Sequence, residues 1–179
     1  TTNYSLEPVY LTTFYREGVQ KNNRYVSYSE AVFKVFKSSF GLSEYSDQVK
    51  LLKSRKIINS DPRDTVFVKL KAGVLSALQL DIVKTVPGFL DLSSLSNYDF
   101  TYSDLVSYNA KDAYAITFVQ NKYNTDPLFT GTLYIEKESF AIMGADFEIN
   151  PAFIDKAADD LVLKKSHRLN VNLEKINYS

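Results

Sequence analysis

Apolar and polar residues alternate along most of the chain, which is the pattern of half-buried β-strands. Two alternating stretches, 8–19 and 24–36, flank the turn residues Lys21-Asn22-Asn23 and predict a long antiparallel hairpin. The first arm places Val9, Leu11, Thr13 and Tyr15 on one face and Tyr10, Thr12, Phe14 and Arg16 on the other. Both arms exceed the usual strand length, which indicates a strongly curved sheet or an open barrel.

The stretch 45–57 fits two interpretations. Val49, Leu51 and Ile57 fit a strand, whereas Val49, Leu52 and Lys53 with Lys56 fit a weak helix. We predict a strand and keep the helix as the alternative.

The middle of the chain changes period. Val66, Val68 and Leu70 alternate with polar residues after the turn Asp61-Pro62-Arg63-Asp64, which predicts a strand. Helical spacing of apolar residues then predicts a short helix between Val74 and Lys84, closed by Pro87-Gly88. Residues 93–97 are predicted to be loop.

Two further hairpins follow. The first joins 98–108 to 112–120 around Asn109-Ala110-Lys111, and the second joins 128–136 to 140–149 around Lys137-Glu138-Ser139. The alternation places these residues on apolar faces: Tyr114, Ile116 and Phe118 in one strand, and Phe129, Gly131, Leu133 and Ile135 in the next.

A helix is predicted after the second of these hairpins. Asn150 is a good cap and Pro151 suits the first helical position. One apolar stripe follows, formed by Phe153, Ile154, Ala157, Ala158 and Leu161. Alternation at Leu169, Val171 and Leu173 then predicts a last strand that is incomplete where the sequence ends.

These elements predict a mainly β (α+β) fold, a curved antiparallel sheet or half-open barrel with one or two helices packed across it. The length favours a single domain over 1–179. The unfinished last strand and the start at Thr1 suggest a processed or excised part of a longer chain.

Composition excludes several classes of site. The 21 basic and 21 acidic residues cancel, which argues against a general nucleic-acid binder. The absence of Cys removes thiol nucleophiles and zinc–thiolate sites, and His167 is the single imidazole. We therefore predict no metal, no cofactor and no catalytic residue. No apolar run is long enough to predict a transmembrane segment.

Carboxylates supply the one enzymatic alternative. Glu136 and Glu138 flank a predicted turn, and Asp155, Asp159 and Asp160 lie on the polar side of the last helix. Two carboxylates facing each other across a cleft would permit glycoside hydrolysis. Solubilising charge explains both sets better, so we predict that the protein is not an enzyme and keep a carboxylate-based hydrolase as an alternative.

Basic residues concentrate in one region. Lys50, Lys53, Arg55 and Lys56 share a predicted strand, and Lys69 and Lys71 belong to the next. If those strands pair, the cluster could meet lipid headgroups or an anionic polysaccharide; the alternative is a solvated face. Arg16 shares a face with Phe14 and is predicted to be a buried, paired guanidinium.

Aromatic and aliphatic residues supply the candidate ligand site. The chain has 13 Tyr and 12 Phe, which pleated, half-buried surfaces favour. On a concave sheet such residues could line an apolar cavity or fill a core. The candidate lining residues are Phe14, Ile116, Phe118, Leu133 and Ile135.

Short motifs support a family resemblance. They are residues 13–17 (TFYRE), 29–32 (SEAV), 80–84 (LDIVK) and 131–142 (GTLYIEKESFAI). From about Tyr4 to about His167 the chain resembles the uncharacterised region that follows a carboxypeptidase-regulatory-like domain in envelope proteins of Bacteroidota. The hairpin at 133–139 is also similar to that of lipoprotein-sorting chaperones, whose half-open barrels hold an apolar cavity.

The resemblance implies a cellular location, and the apolar alternating faces suggest a function. We expect a non-enzymatic domain of the bacterial cell envelope, periplasmic or outer-membrane-associated, that binds a hydrophobic ligand or lipid in a concave sheet. The alternative is a structural or protein-interaction module of a larger outer-membrane-associated protein.

Overall fold

The computed structural model describes residues 7–21, 24–39, 47–58, 68–70, 81–165, 174 and 176–178. The chain divides into two compact units, Thr1–Phe67 and Val68–Ser179. Each unit is described by itself below, and the single domain expected from the chain length stays a prediction.

The N-terminal unit is a three-stranded antiparallel sheet. Its strands are β1 (Val9–Lys21), β2 (Arg24–Lys37) and β3 (Gln48–Ile58), in the order β1-β2-β3. The predicted hairpin is confirmed, and 45–57 contributes a strand, so the helical alternative is wrong. A register shift between Val32 and Phe33 leaves Leu52 of β3 unpaired, and such bulges increase the twist of long strands.

The predicted alternation of β1 is confirmed by its register. Thr13 pairs with Phe33, and Leu11 with Val35, whereas Phe14 pairs with Val32 on the opposite face. Val35 is fully buried. Val35 lies on the face that carries Leu11 and Thr13, although Leu11 itself is 40% exposed.

The C-terminal unit contains the remaining elements. They are β4 (Val68–Leu70), α1 (Ile82–Thr85), β5 (Tyr98–Tyr108), β6 (Lys111–Gln120), β7 (Phe129–Glu136), β8 (Ile142–Ile149), α2 (Ile154–Leu161), β9 (Val162–Lys165) and β10 (Asn177–Tyr178). The main sheet is antiparallel in the order β10-β8-β7-β6-β5, and β4 pairs with β9 in a small second sheet. Both predicted hairpins are confirmed. The main sheet stays open, with β10 and β5 as its outer strands, so the fold is mainly antiparallel β as predicted.

The tight turn between β5 and β6 has an identifiable cause. Asn109 and Ala110 both adopt positive φ, 49° and 63°. Two left-handed residues in a two-residue loop match the twist of the flanking strands. This turn sets the register in which Tyr108 lies opposite Lys111.

The segment before β5 covers one face of the main sheet. Its Phe89 is fully buried, with ring centroids 4.3 Å from Phe118 and 5.2 Å from Phe147. Ile82 and Leu90 pack against the same core cluster. The predicted helix between Val74 and Lys84 is described only from residue 81, where α1 begins, and 71–80 lie outside the described residues.

Helix α2 itself begins at Ile154, three residues after the predicted start at Pro151. The Asn150 side chain accepts a hydrogen bond from the Ala152 amide at 3.1 Å, and Pro151 opens a short 3₁₀ turn. Ile154 and Ala157 of the apolar stripe are buried. The predicted strand around 169–173 lies outside the described residues. Both described α-helices are far shorter than a bilayer is thick, and neither qualifies as a membrane span.

Candidate functional site

Four of the five predicted lining residues lie together. Phe118 and Leu133 belong to the buried core cluster, and Ile116 and Ile135 are half-buried against it. Phe14 lies in the N-terminal unit, where 59% of it is exposed. In this packing Phe118 and Leu133 contact other core residues, and a ligand-lining role for the five stays a prediction.

The register explains why the four share a face. Ile116 pairs with Leu133, and Phe118 pairs with Gly131, which in turn pairs with Phe147. A Cβ on Gly131 would lie 2.7 Å from the Cα of Phe147. The missing side chain therefore allows the large rings on either side to pack closely.

The same face continues beyond the core as an exposed apolar surface, here called the aromatic strip. It consists of Phe100, Tyr102, Leu105, Tyr114 and Phe140. Tyr102 is 57% exposed and Phe140 71%. The ring of Tyr114 links them, at 6.1 Å from that of Tyr102 and 6.4 Å from that of Phe140.

A β-bulge holds part of this strip together. Tyr102 pairs with Ile116, but Leu105 pairs with Tyr114 because Ser103 is unpaired in β5. The bulge keeps Tyr102 and Leu105 on one face although they are three residues apart. Strict alternation would separate them, so the sequence pattern did not identify this pair.

Phe140 is held in an unfavourable backbone conformation. Its φ is 57°, in the region that glycine adopts easily and bulky residues rarely adopt. Its amide donates to the Glu136 carbonyl at 2.9 Å, and the Glu136 amide donates to the Ala141 carbonyl at 2.8 Å. The turn thus presents an exposed aromatic ring where its backbone favours Gly.

The opposite face of the main sheet carries a pair of stacked tyrosines. The rings of Tyr108 and Tyr134 stack at 4.4 Å. The Tyr108 side chain extends from β5 to Gly144 of β8, and Ala113 and Ala115, on the same face of β6, are both buried. The Tyr134 hydroxyl donates to Asp146 at 3.0 Å, and this hydrogen bond raises the pKa of Tyr134.

The face of the N-terminal sheet that carries Phe14 forms a second candidate surface, here called the basic face. Its charged residues are Arg16 of β1, Glu30 and Lys34 of β2, and Lys50, Lys53 and Arg55 of β3. All five cations are exposed.

The pairing that the sequence suggested for these cations is wrong. Strand β3 pairs with β2, and β4, which contains Lys69, pairs with β9 instead. Lys56 points to the opposite face of β3, and Lys71 lies outside the described residues. The basic face therefore combines the cations of β3 with Arg16 of β1 and Lys34 of β2, which the predicted cluster did not include.

Glu30 organises the middle of the basic face. Its Oε1 accepts from Arg16 at 3.0 Å and from the Tyr28 hydroxyl at 2.5 Å, and its Oε2 accepts from Arg55 at 2.5 Å. The Tyr28 hydrogen bond, with those from both arginines, lowers the pKa of Glu30. The predicted pairing of Arg16 is confirmed. Its predicted burial is wrong, because its side chain is 60% exposed.

Three described carboxyl groups have a lowered pKa, on Glu30, Asp91 and Glu136. Hydrogen bonds from Ser93 lower that of Asp91, and the Lys111 ammonium and the Ser139 hydroxyl lower that of Glu136. A glycosidase general acid needs a raised pKa, so these three are unsuited to that role. The described residues contain no group of three or more His, Asp or Glu side chains placed to hold a metal.

Comparison with protein-family models, with curated proteins and with solved structures finds no match to this chain.

Proposed function

We propose that the C-terminal unit is a non-enzymatic binding module that holds the apolar part of a ligand, such as a lipid acyl chain, on the aromatic strip. The observation that carries this proposal is the continuity of the strip with the core. Tyr102 and Tyr114 lie on the face that Phe89 covers further along, yet Tyr102 is 57% exposed and Tyr114 is only half-buried. An exposed apolar surface of this kind marks a binding site more often than an isolated apolar residue does.

Phe140 supports the proposal independently. A non-glycine residue in the left-handed region costs about 1–2 kcal/mol of folding free energy. Gly or Asn would satisfy the turn without that cost. A strained residue that places an aromatic ring beside Tyr114 fits selection for a contact rather than for stability.

An extended apolar chain fits this surface. Tyr102, Tyr114 and Phe140 follow one another across the sheet, and half-buried Ile116 and Ile135 lie on the same face. Burial contributes about 0.8 kcal/mol for each CH₂ group, so a long acyl chain needs no strong polar contact. The Tyr102 and Tyr114 hydroxyls supply polar groups at the edge of such a site.

Oleate binding to the full chain tests the proposal. Wild type should bind oleate, and Tyr102→Ser with Phe140→Ser should weaken binding at least tenfold while circular dichroism stays unchanged. Leu92→Ser with Tyr123→Ser is the matched control, because both residues are over 80% exposed and lie outside the strip.

Two results would contradict the proposal. Equal oleate binding by both double variants would place the ligand elsewhere. No oleate binding by wild type would favour the alternative function, in which the strip contacts another protein of a larger assembly.

The cellular location forms part of the proposal and rests on the resemblance to Bacteroidota envelope proteins. Fractionation of cells that express the natural full-length protein tests it. The protein should appear in the periplasmic or outer-membrane fraction, and its recovery with cytoplasmic markers would contradict the proposed location.

A further inference from the structure

We infer that the basic face of the N-terminal sheet docks on an anionic lipid bilayer. Five cations and one carboxylate leave four net positive charges on this face, although the whole chain is neutral. The charge is thus concentrated, and a concentrated basic surface attracts anionic headgroups.

Two lysines on neighbouring strands of this face lie directly opposite each other. Lys34 of β2 lies directly opposite Lys50 of β3, and both are exposed. Like charges in this position are destabilising. Nearby, Arg16 and Arg55 share the single carboxylate of Glu30. An anionic partner would relieve the repulsion between these cations.

Apolar residues on the same face favour a bilayer over a soluble polyanion. Tyr10 is 69% exposed, Phe14 59% and Ile57 46%. Aromatic rings could stack on bases or sugars, but an aliphatic side chain such as Ile57 gains only from an apolar phase. Cations beside exposed Phe, Tyr and Ile match surfaces that bind headgroups and insert into the acyl boundary.

The dimensions of the face suit several headgroups at once. From Tyr10 to Arg16 the face extends about 20 Å along β1, and three strands span about 10 Å across it. Each of the three strands contributes at least one of the five cations to this face.

Vesicle flotation of the full chain tests the inference. The probes are phosphatidylcholine vesicles with about 30 mol% phosphatidylglycerol and vesicles of phosphatidylcholine alone. We expect binding to the anionic vesicles only, weakened by added salt.

Charge-matched variants locate the surface. Lys34→Gln with Lys50→Gln and Lys53→Gln should reduce binding on the order of a hundredfold, roughly fivefold per cation. The control removes the same charge away from the basic face, through Lys56→Gln, Lys122→Gln and Lys137→Gln. It should reduce binding only a few-fold.

The apolar contribution needs a separate variant. Phe14→Ser should weaken vesicle binding and leave its salt dependence unchanged, because it removes no charge. The Tyr102→Ser with Phe140→Ser variant should bind vesicles like wild type, so this inference and the proposed function can fail separately.

Several outcomes would overturn the inference. They are no binding to anionic vesicles, equal loss in both charge-matched triple variants, and tight binding of heparin or a single-stranded oligonucleotide that is insensitive to Phe14→Ser. The last result would assign the face to a soluble polyanion.

Discussion

Removal of the Phe89 ring should destabilise the C-terminal unit more than any other truncation in its covering segment. Phe89 is fully buried, and its ring lies within 6.3 Å of four other aromatic rings: Tyr98, Phe118, Phe129 and Phe147. Truncation of a core Phe to Ala costs about 3–5 kcal/mol. Lost ring pairs add about 0.5–1.5 kcal/mol each but are not additive, so we expect about 4 kcal/mol for Phe89→Ala.

Urea denaturation with hydrogen exchange of the β6 and β7 amides measures this loss within the main sheet. Leu92→Ala is the control in the same segment, since Leu92 is 86% exposed. It should change the free energy of unfolding by less than about 0.5 kcal/mol. A loss below about 1 kcal/mol for Phe89→Ala would refute the assignment of this segment as the cover of the sheet.

Three further predictions concern other parts of the fold. Gly144→Ala would place a Cβ 2.8 Å from the Tyr108 ring and should destabilise by about 1–3 kcal/mol; Tyr108→Phe in that background should restore part of the loss in urea denaturation. Ala110→Gly should raise the free energy of unfolding by about 1 kcal/mol, because Ala110 has positive φ. The pKa of Glu30 should lie below its ordinary value of 4.5, as measured by NMR of its carboxyl carbon. The hydrogen bonds to the ionised Glu30 therefore stabilise the fold fully above pH 4.5, and this stabilisation is lost as the pH falls through the lowered pKa.

Each of these has a result that would contradict it. Full stability of Gly144→Ala would mean that the Tyr108 side chain does not extend to Gly144 as described. Destabilisation by Ala110→Gly would contradict the turn conformation. A stability difference between wild type and Glu30→Gln that persists unchanged below pH 4.5 would show that the Glu30 charge does not hold the network.

Periodicity predicted the strands well because each hairpin carries its own local information. The alternation around Ile116 and Leu133 predicted both the strands and the face they share, and Asn150-Pro151 marked the 3₁₀ turn that leads into α2. These features depend on neighbours in sequence, which a single chain displays.

Long-range pairing and bulges were harder to predict. The unpaired Ser103 reverses the alternation of β5, so Leu105 joins Tyr102 on the aromatic strip. Lys34 joins Lys50 only because β2 is the central strand of its sheet. Neither relation is encoded by spacing along one strand, since each depends on which strands meet.

The buried position of Phe89 illustrates the same limit. Its segment follows a predicted helix and looks like connecting loop, because its apolar residues have no strand period. It is buried because the rings of Phe118 and Phe147 leave a place that its side chain fills. Such packing becomes visible only when the strands are in register.

Photo-crosslinking with a diazirine-labelled fatty acid tests the central claim most directly. After irradiation with the full chain, mass spectrometry locates the labelled peptides. We expect label on the peptides that contain Tyr102, Tyr114 and Phe140, displaced by excess oleate and lost in the Tyr102→Ser with Phe140→Ser variant. Label spread evenly over the chain, or confined to peptides outside the aromatic strip, would contradict the account.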